Sequence, residues 1–428
     1  MAMKESGIEW VGLIPDDWKI AKNNRLFNIS KQLVNENWKH TQLLSLTKSG
    51  IIEKNINDGG GKQPESFGTY QYVEKDDIVL CLFDIDVSAV FSDRSKYDGM
   101  ISPAYRVMKC TDAILPVYAK WWFDAVNIGR YYLIYTKSLR KTIDADGFGN
   151  ILTVVPPLSE QETIADYLDE TCSKIDEIIA EAKASIDEYE NLRQSIIYEI
   201  LTKGPDDNVE MKDSGVEWIG KVPSHWMIGK VKYGTTKVGS GKTPKGGAEV
   251  YMTSGVMFLR SQNIYNDGLR LDNPYYISEE IDEEMKNTRV QKNDVLLNIT
   301  GGSIGRCCIF DGSIPNANVN QHVCIIRVNS SVFLPEYMHL FWISPIGQIS
   351  IKSYQTGGNR EGMSAEAIKN TPIPIIPIGE QRRIVDLIKP KIDDFNSLIS
   401  EKESLINDLE AYKKSLIYEV VTGKRRVV

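Results

Sequence analysis

Residues 157–203, PLSEQETIADYLDETCSKIDEIIAEAKASIDEYENLRQSIIYEILTK, constrain this chain more than any other stretch. Apolar side chains recur at Ile164, Leu168, Ile175, Ile178, Ala182, Tyr189, Leu192 and Ile196, in steps of three, four or seven. That is the narrow stripe of a helix built to pair with another helix. Pro156 and Pro157 bar helix upstream, Ser159 with Glu162 predicts a capping box, and nothing breaks the run before Gly204. At 1.5 Å per residue the run makes a rod roughly 65 Å long. A rod of that length cannot be buried in one small globule and needs a partner.

Residues 377–423, PIGEQRRIVDLIKPKIDDFNSLISEKESLINDLEAYKKSLIYEVVTG, supply it. A shift of 220 positions sets Glu160-Gln161 on Glu380-Gln381, Ile164 on Ile384, Leu168 on Ile388, and Ser195–Glu199 on Ser415–Glu419. The expected seam is Ile164, Leu168, Ile175, Ile178, Leu192 and Ile196 on the first helix. On the second it is Ile384, Ile388, Phe395, Leu398, Leu409 and Leu416, widened by Ile392, Ile399, Ile406 and Val420. Gly379 replaces the Ser159 cap, Pro390 predicts a kink or break, and Lys402 aligns with Ala182 as a polar defect that sets register.

A second repeat lies upstream of each helix. KESGIEWVGLIPDDW at 4–18 returns as KDSGVEWIGKVPSHW at 212–226, with Gly7, Glu9, Trp10, Gly12, Pro15 and Trp18 matched. Each half therefore opens on this segment, runs through a mixed middle and closes with a long helix. Asp77–Phe83 and Asp294–Thr300 read as counterpart strands, and short helices are expected from Pro116 and near Leu334. The middles differ far more than the ends, the pattern of two modules with different specificities. The fold class is α+β: two mixed α/β domains separated by an antiparallel pair of long helices, related by a pseudo-two-fold. The expected boundaries are a first domain at 1–156, first helix at 157–203, linker at 204–211, second domain at 212–376, second helix at 377–423 and a basic tail at 424–428.

Composition narrows the function. The chain of 428 residues has a net charge of −8 and a pI near 5.3, unlike a free-standing nucleic-acid binder, which is usually basic. Residues 158–204, however, hold twelve Asp and Glu against four Lys and Arg, so the rest is close to neutral and DNA binding is permitted. Six cysteines without a CxxC spacing and four scattered histidines predict reduced thiols and no structural zinc. No apolar run approaches the ~20 residues that span a bilayer, and the N-terminus lacks a signal-peptide core.

Catalytic signatures are absent. Gly239-Ser-Gly-Lys-Thr243 lacks the first glycine of a phosphate loop, Thr236 standing there, and Pro244 follows where a helix is needed. Asp272-Asn-Pro-Tyr-Tyr276 lacks the second proline of an amino-methyltransferase motif. Glu284-Met-Lys286 after Asp282 reads as a solvated helix face rather than a nuclease centre.

Taken together, the repeated WxGxxPxxW openings, the Pro-then-Glu-Gln helix entries and the SIIYE/SLIYE endings resemble the specificity subunit of type I restriction–modification systems. So do the strings Gly99–Tyr105 (GMISPAY), Gly239–Pro244 (GSGKTP), Phe258–Gln262 (FLRSQ) and Asn318–Cys324 (NVNQHVC). The resemblance implies a non-catalytic, cytoplasmic prokaryotic protein whose domains each read one half of a bipartite, asymmetric double-stranded DNA target. It implies helices that fix the gap, two methyltransferase subunits using S-adenosylmethionine, and restriction/translocase subunits using ATP and Mg, with no cofactor in this chain.

Base edges are read by Arg, Lys, Asn and Gln, and phosphates by cations, hydroxyls and exposed amides. On that ground the DNA-binding candidates are Lys48, Lys54, Lys62, Gln63, Arg140 and Lys141 in the first domain. In the second they are Lys237, Ser240, Lys242, Lys245, Arg260, Gln262 and the Gly-Gly loop with Gln355, Asn359 and Arg360. Two other readings stay open: a scaffold that assembles partners without reading DNA, and a fused enzyme with an unrecognised site.

Overall fold

The long helices run from Leu158 to Lys203 and from Ile378 to Val421. Both begin the same way. The carbonyl of Pro157 accepts from Glu160 and Gln161 amides at 2.9 and 3.0 Å, and that of Pro377 from Glu380 and Gln381 at the same distances. The proline carbonyl starts the helix, so the expected Ser159–Glu162 capping box does not form and Gly379 serves equally well. Pro390 lies inside an uninterrupted second helix rather than at a break.

The computed structural model describes residues 2–56, 66–87, 91–136, 140–206, 208–354 and 362–427. The chain divides into two compact units, Met1–Lys183 with Glu403–Val428, and Ala184–Lys402. These divisions fall inside both helices. Each unit thus contains half of each long helix.

In the first unit the buried face of the helix is Ile164, Leu168, Cys172, Ile175, Ile179 and Ala182, opposite Ile406, Leu416, Ile417, Val420 and Val421. In the second, Ile197, Leu201, Ile384, Val385 and Ile388 enter one core, and Arg193 donates to Asn396 Oδ1 at 2.6 Å beside the Tyr189–Phe395 ring pair. Three expected seam residues are exposed: Ile178, Leu192 and Leu398. The structure uses the next position each time, Ile179, Arg193 and Ile399. Cys172, unremarkable in sequence, sets this register, because a heptad from it falls on Ile179. Ile196, Phe395 and Leu409 are half-buried.

The repeated openings fold as hairpins that clasp the helix ends. Met3–Glu5 pairs with Leu13–Pro15, and Met211–Asp213 with Lys221–Pro223. Gly7 and Gly12, like Gly215 and Gly220, sit at φ of +67° to +73°, which explains these four repeated glycines. Trp18 donates its indole N–H to Glu160 at 3.0 Å, and Trp226 to Glu380 at 2.9 Å. Tyr418 donates to Trp10 O at 2.9 Å and Tyr198 to Ile219 O at 3.3 Å, which accounts for the tyrosine in each helix ending. The glycine after each helix, Gly423 or Gly204, packs on Pro15 and Trp18 or on Pro223 and Trp226.

Gln161 and Gln381 are fully buried. Gln161 accepts from the Leu115 amide and donates to the Ala113 and Pro156 carbonyls; Gln381 does the same to Leu334, Val332 and Ile376. Each glutamine thereby ties its long helix to a Pro-started helix, Pro116–Ile128 or Pro335–Ile343. Strands Lys19–Lys22 and Leu152–Val155 pair at the root of the first middle, as Met227–Lys230 and Pro372–Ile375 do in the second.

The middles share a topology that their sequences hide. In the first, an antiparallel sheet runs Phe27–Ser30, Arg106–Cys110, Ile78–Leu80, Ser92–Arg94; in the second it runs Thr235–Ser240, Val323–Val328, Val295–Asn298, Cys307–Ile309. Each middle also has one parallel pair in a second sheet, Gly99–Ile101 with Leu43–Thr47 and Ala317–Val319 with Val256–Leu259. The GMISPAY and NVNQHVC strings therefore occupy the same place, the exit of the parallel strand into the antiparallel sheet.

Candidate nucleic-acid interface

In the second unit three strings distant in sequence converge. The Gly241 amide donates to Val323 O at 2.9 Å and Lys242 N to Val319 O at 3.2 Å, joining GSGKTP to NVNQHVC. A side chain at position 241 would collide with the Val319 and Asn320 carbonyls, so this glycine permits close backbone approach. Asn320 N donates to Leu259 O at 3.0 Å, which brings in FLRSQ. Only a four-residue 3-10 helix, Gly247–Val250, follows Gly239–Thr243, so the string is a strand exit and not a phosphate loop.

A polar chain lies across this junction. Thr243 donates to Gln321, whose amide nitrogen is 3.0 Å from His322 Nε2, and His322 Nδ1 is 2.5 Å from the Thr300 hydroxyl. Lys242, Thr243, Lys245, Gln262 and Gln321 are exposed around it. Asn318 instead points inward to Asp282, with Thr288 donating to it at 2.6 Å. The Arg260 guanidinium carbon lies over Tyr275, 3.8 Å from the ring centre, with the Tyr251 ring centre at 5.7 Å. Exposed cations beside amides and hydroxyls on one edge make an arrangement suited to phosphates and base edges.

The other second-domain candidates fare differently. Lys237 donates to Asn287 O at 2.5 Å, and burial, followed by the nearby Arg327, holds its pKa below the usual lysine value. It turns toward the protein. Ser240 is exposed at the end of its strand. Gln355, Asn359 and Arg360 fall outside the described residues. Burial leaves the thiols of Cys308 and Cys324 pushed up to about 12, which keeps them neutral.

In the first unit, Gln71 donates to the Ser102 and Tyr105 carbonyls at 3.3 and 3.0 Å and so fixes the GMISPAY exit. Gln71, Pro103 and Arg106 line a cleft of about 830 Å³ together with Asn24, Asn28 and Lys31. Lys48 and Lys54 are exposed on the Leu43–Lys54 hairpin. Arg140 and Lys141 are exposed as well, their carbonyls accepting from Asp84 and Ile85. Lys62 and Gln63 lie outside the described residues. Sequence reasoning passed over Gln71, Arg106, Tyr251 and Tyr275; for Arg106 alone there was a signal, since it directly follows the GMISPAY string.

Comparison with known proteins follows the same lines. The family described as type I restriction modification DNA specificity domain matches residues 223–408. The chain is 24% identical over 287 residues to the specificity subunit of the type I restriction enzyme EcoBI of Escherichia coli, covering 64% of this chain and 58% of that protein. It is 23% identical over 313 residues to the specificity subunit of the type I restriction enzyme MjaVIII of Methanocaldococcus jannaschii, covering 69% and 70%. A solved chain from work on complex assembly and conformational transition of the type I R-M system superposes with a TM-score of 0.71 at 12% identity, covering 96% of this chain and 99% of that one.

Proposed function

Because the chain belongs to the specificity-subunit family of type I restriction–modification systems, we propose that it is the DNA-reading component of such a system. Each unit reads one half of a bipartite, asymmetric double-stranded target, and the helices that pass through both units set the gap. The observation that carries this reading is the common topology of two middles whose strings at one equivalent place expose different residues, Pro103 and Ala104 in the first and Gln321 in the second. A shared scaffold with unlike edges is what two readers of unlike sequences require.

Adenine methylation with S-adenosylmethionine then belongs to two modification subunits, and ATP- and Mg-dependent translocation and cleavage to restriction subunits. This chain contributes address, not catalysis. No helix among the described residues is long and apolar enough to cross a membrane.

The test is to map methylated adenines in a host that carries the chain and its modification subunits. The expected result is a single motif with two different halves at a fixed gap, lost when the chain is deleted. Methylation that is independent of the chain, or that has no sequence preference, overturns the proposal.

A further inference from the structure

Arg260, like Arg306 over Tyr265 at 4.5 Å, lies on a tyrosine ring with no ion pair among the described residues. Arg289, Arg327 and Arg270 pair with Asp282, Asp294 and Asp267, whereas Arg260 has no acidic partner among the described residues. Its Nε is sealed from solvent and makes no hydrogen bond. Aromatic faces take the place of a counter-ion: the guanidinium lies 3.8 Å from the Tyr275 centroid, and Tyr275 meets Tyr251 edge-on at 5.2 Å. This platform is set by backbone, since Phe258 N donates to Tyr275 O at 2.7 Å and Met252 N to Tyr276 O at 2.9 Å. Stacking of this kind holds the guanidinium by cation–π attraction and removes rotamer freedom before any ligand arrives.

The position fits the chemistry. Arg260 follows the strand Val256–Leu259 directly, and Leu259 O receives the Asn320 amide at the junction of the converging strings. The neighbouring Lys242 and Lys245 are exposed and suited to phosphates, while the flat fork of an oriented arginine suits the paired acceptors on a guanine edge.

We propose that Arg260 reads a guanine in the half-site facing the second unit, and that Tyr275 and Tyr251 are positioning residues that hold its fork for that contact. This rests on the recognition role proposed above. Tyr275, in the string Asp272–Tyr276 that only superficially matches a methyltransferase motif, thereby acquires a function.

The experiment uses the full chain assembled with its modification subunits and a DNA library randomised one position at a time across both half-sites. Arg260→Lys keeps the charge but not the fork. It is expected to lose about 5- to 150-fold discrimination at one guanine of one half-site, with the other half-site and the salt slope unchanged. Tyr275→Phe, which keeps the ring face, is expected to retain discrimination, and Tyr275→Leu to lose it at the same base. A uniform loss over all sequences for Arg260→Gln, with a salt slope lower by about one, makes Arg260 a phosphate contact and overturns the inference. Unchanged discrimination in both Arg260→Lys and Tyr275→Leu overturns it too. A wild-type complex with no sequence preference overturns the recognition reading itself, a result distinct from either.

Discussion

Replacing the buried Gln381 by alanine removes three hydrogen bonds at once and strands the Leu334 amide and the Val332 and Ile376 carbonyls in the interior. Leaving such groups unpaired costs about 1–3 kcal/mol each when water cannot reach them. Gln381→Ala is expected to destabilise the second unit by about 2–4 kcal/mol in urea unfolding, and Gln161→Ala to do the same in the first. A loss too small to measure would mean that these glutamines are matched for some reason other than tying helix to helix. Their pairing was legible as a repeat, but their role was not, because the partner amide lies 47 residues away in sequence. Lys237 carries the same lesson: a lysine in a strand gives no sign of which face it takes. Arg260 was legible as a candidate, whereas its tyrosine platform depends on sheet pairing that no local pattern announces.

At the scale of elements, both long helices were read from periodicity to within a residue or two at their ends, since an apolar stripe and a proline entry are local facts. The seam was read one residue early at Ile178, Leu192 and Leu398. Adjacent apolar residues such as Ile178 and Ile179 satisfy a stripe equally well, and only the buried Cys172 decides between them. Inserting four residues near Ala182–Ser185 lengthens the first helix by ~6 Å and nearly preserves its stripe. On the spacer proposal, the preferred gap in a methylated library then lengthens by roughly two base pairs, at ~3.4 Å per pair. A two-residue insertion turns the stripe by roughly 200° and is expected to break the pairing. A folded four-residue variant that keeps the native gap sinks the spacer role.

At the scale of the whole molecule, exchanging residues 21–150 for the same region of a related subunit is expected to change one half of the methylated motif and leave the other intact. Change in both halves, or in neither, contradicts the two-module reading. The exchange points are favourable because the Lys19–Lys22 and Leu152–Val155 ladder closes the module at its root. The duplicated plan was legible from the ends alone. The shared topology of the middles was not, because their strands match in order and pairing while their surface residues differ.

The two clasps also bear on how the chain is made. The second opening segment meets a helix end only 21 residues behind it, at Tyr198 and Ile219, whereas the first waits for Tyr418, 408 residues ahead of Trp10. During synthesis the first helix end therefore emerges long before the correct one and offers the same tyrosine and glycine to the waiting segment. The side chains that follow differ in sign. Arg426 bridges Asp17 and Glu160 in the correct closure, while the matching position on the early helix is Asp206, which pairs with Arg383. Closed prematurely, Asp206 would sit against two carboxylates, with Thr163 where Arg383 should be. Like charges thus penalise the early mistake, and the order in which ribosomes deliver the two ends need not decide which one is kept.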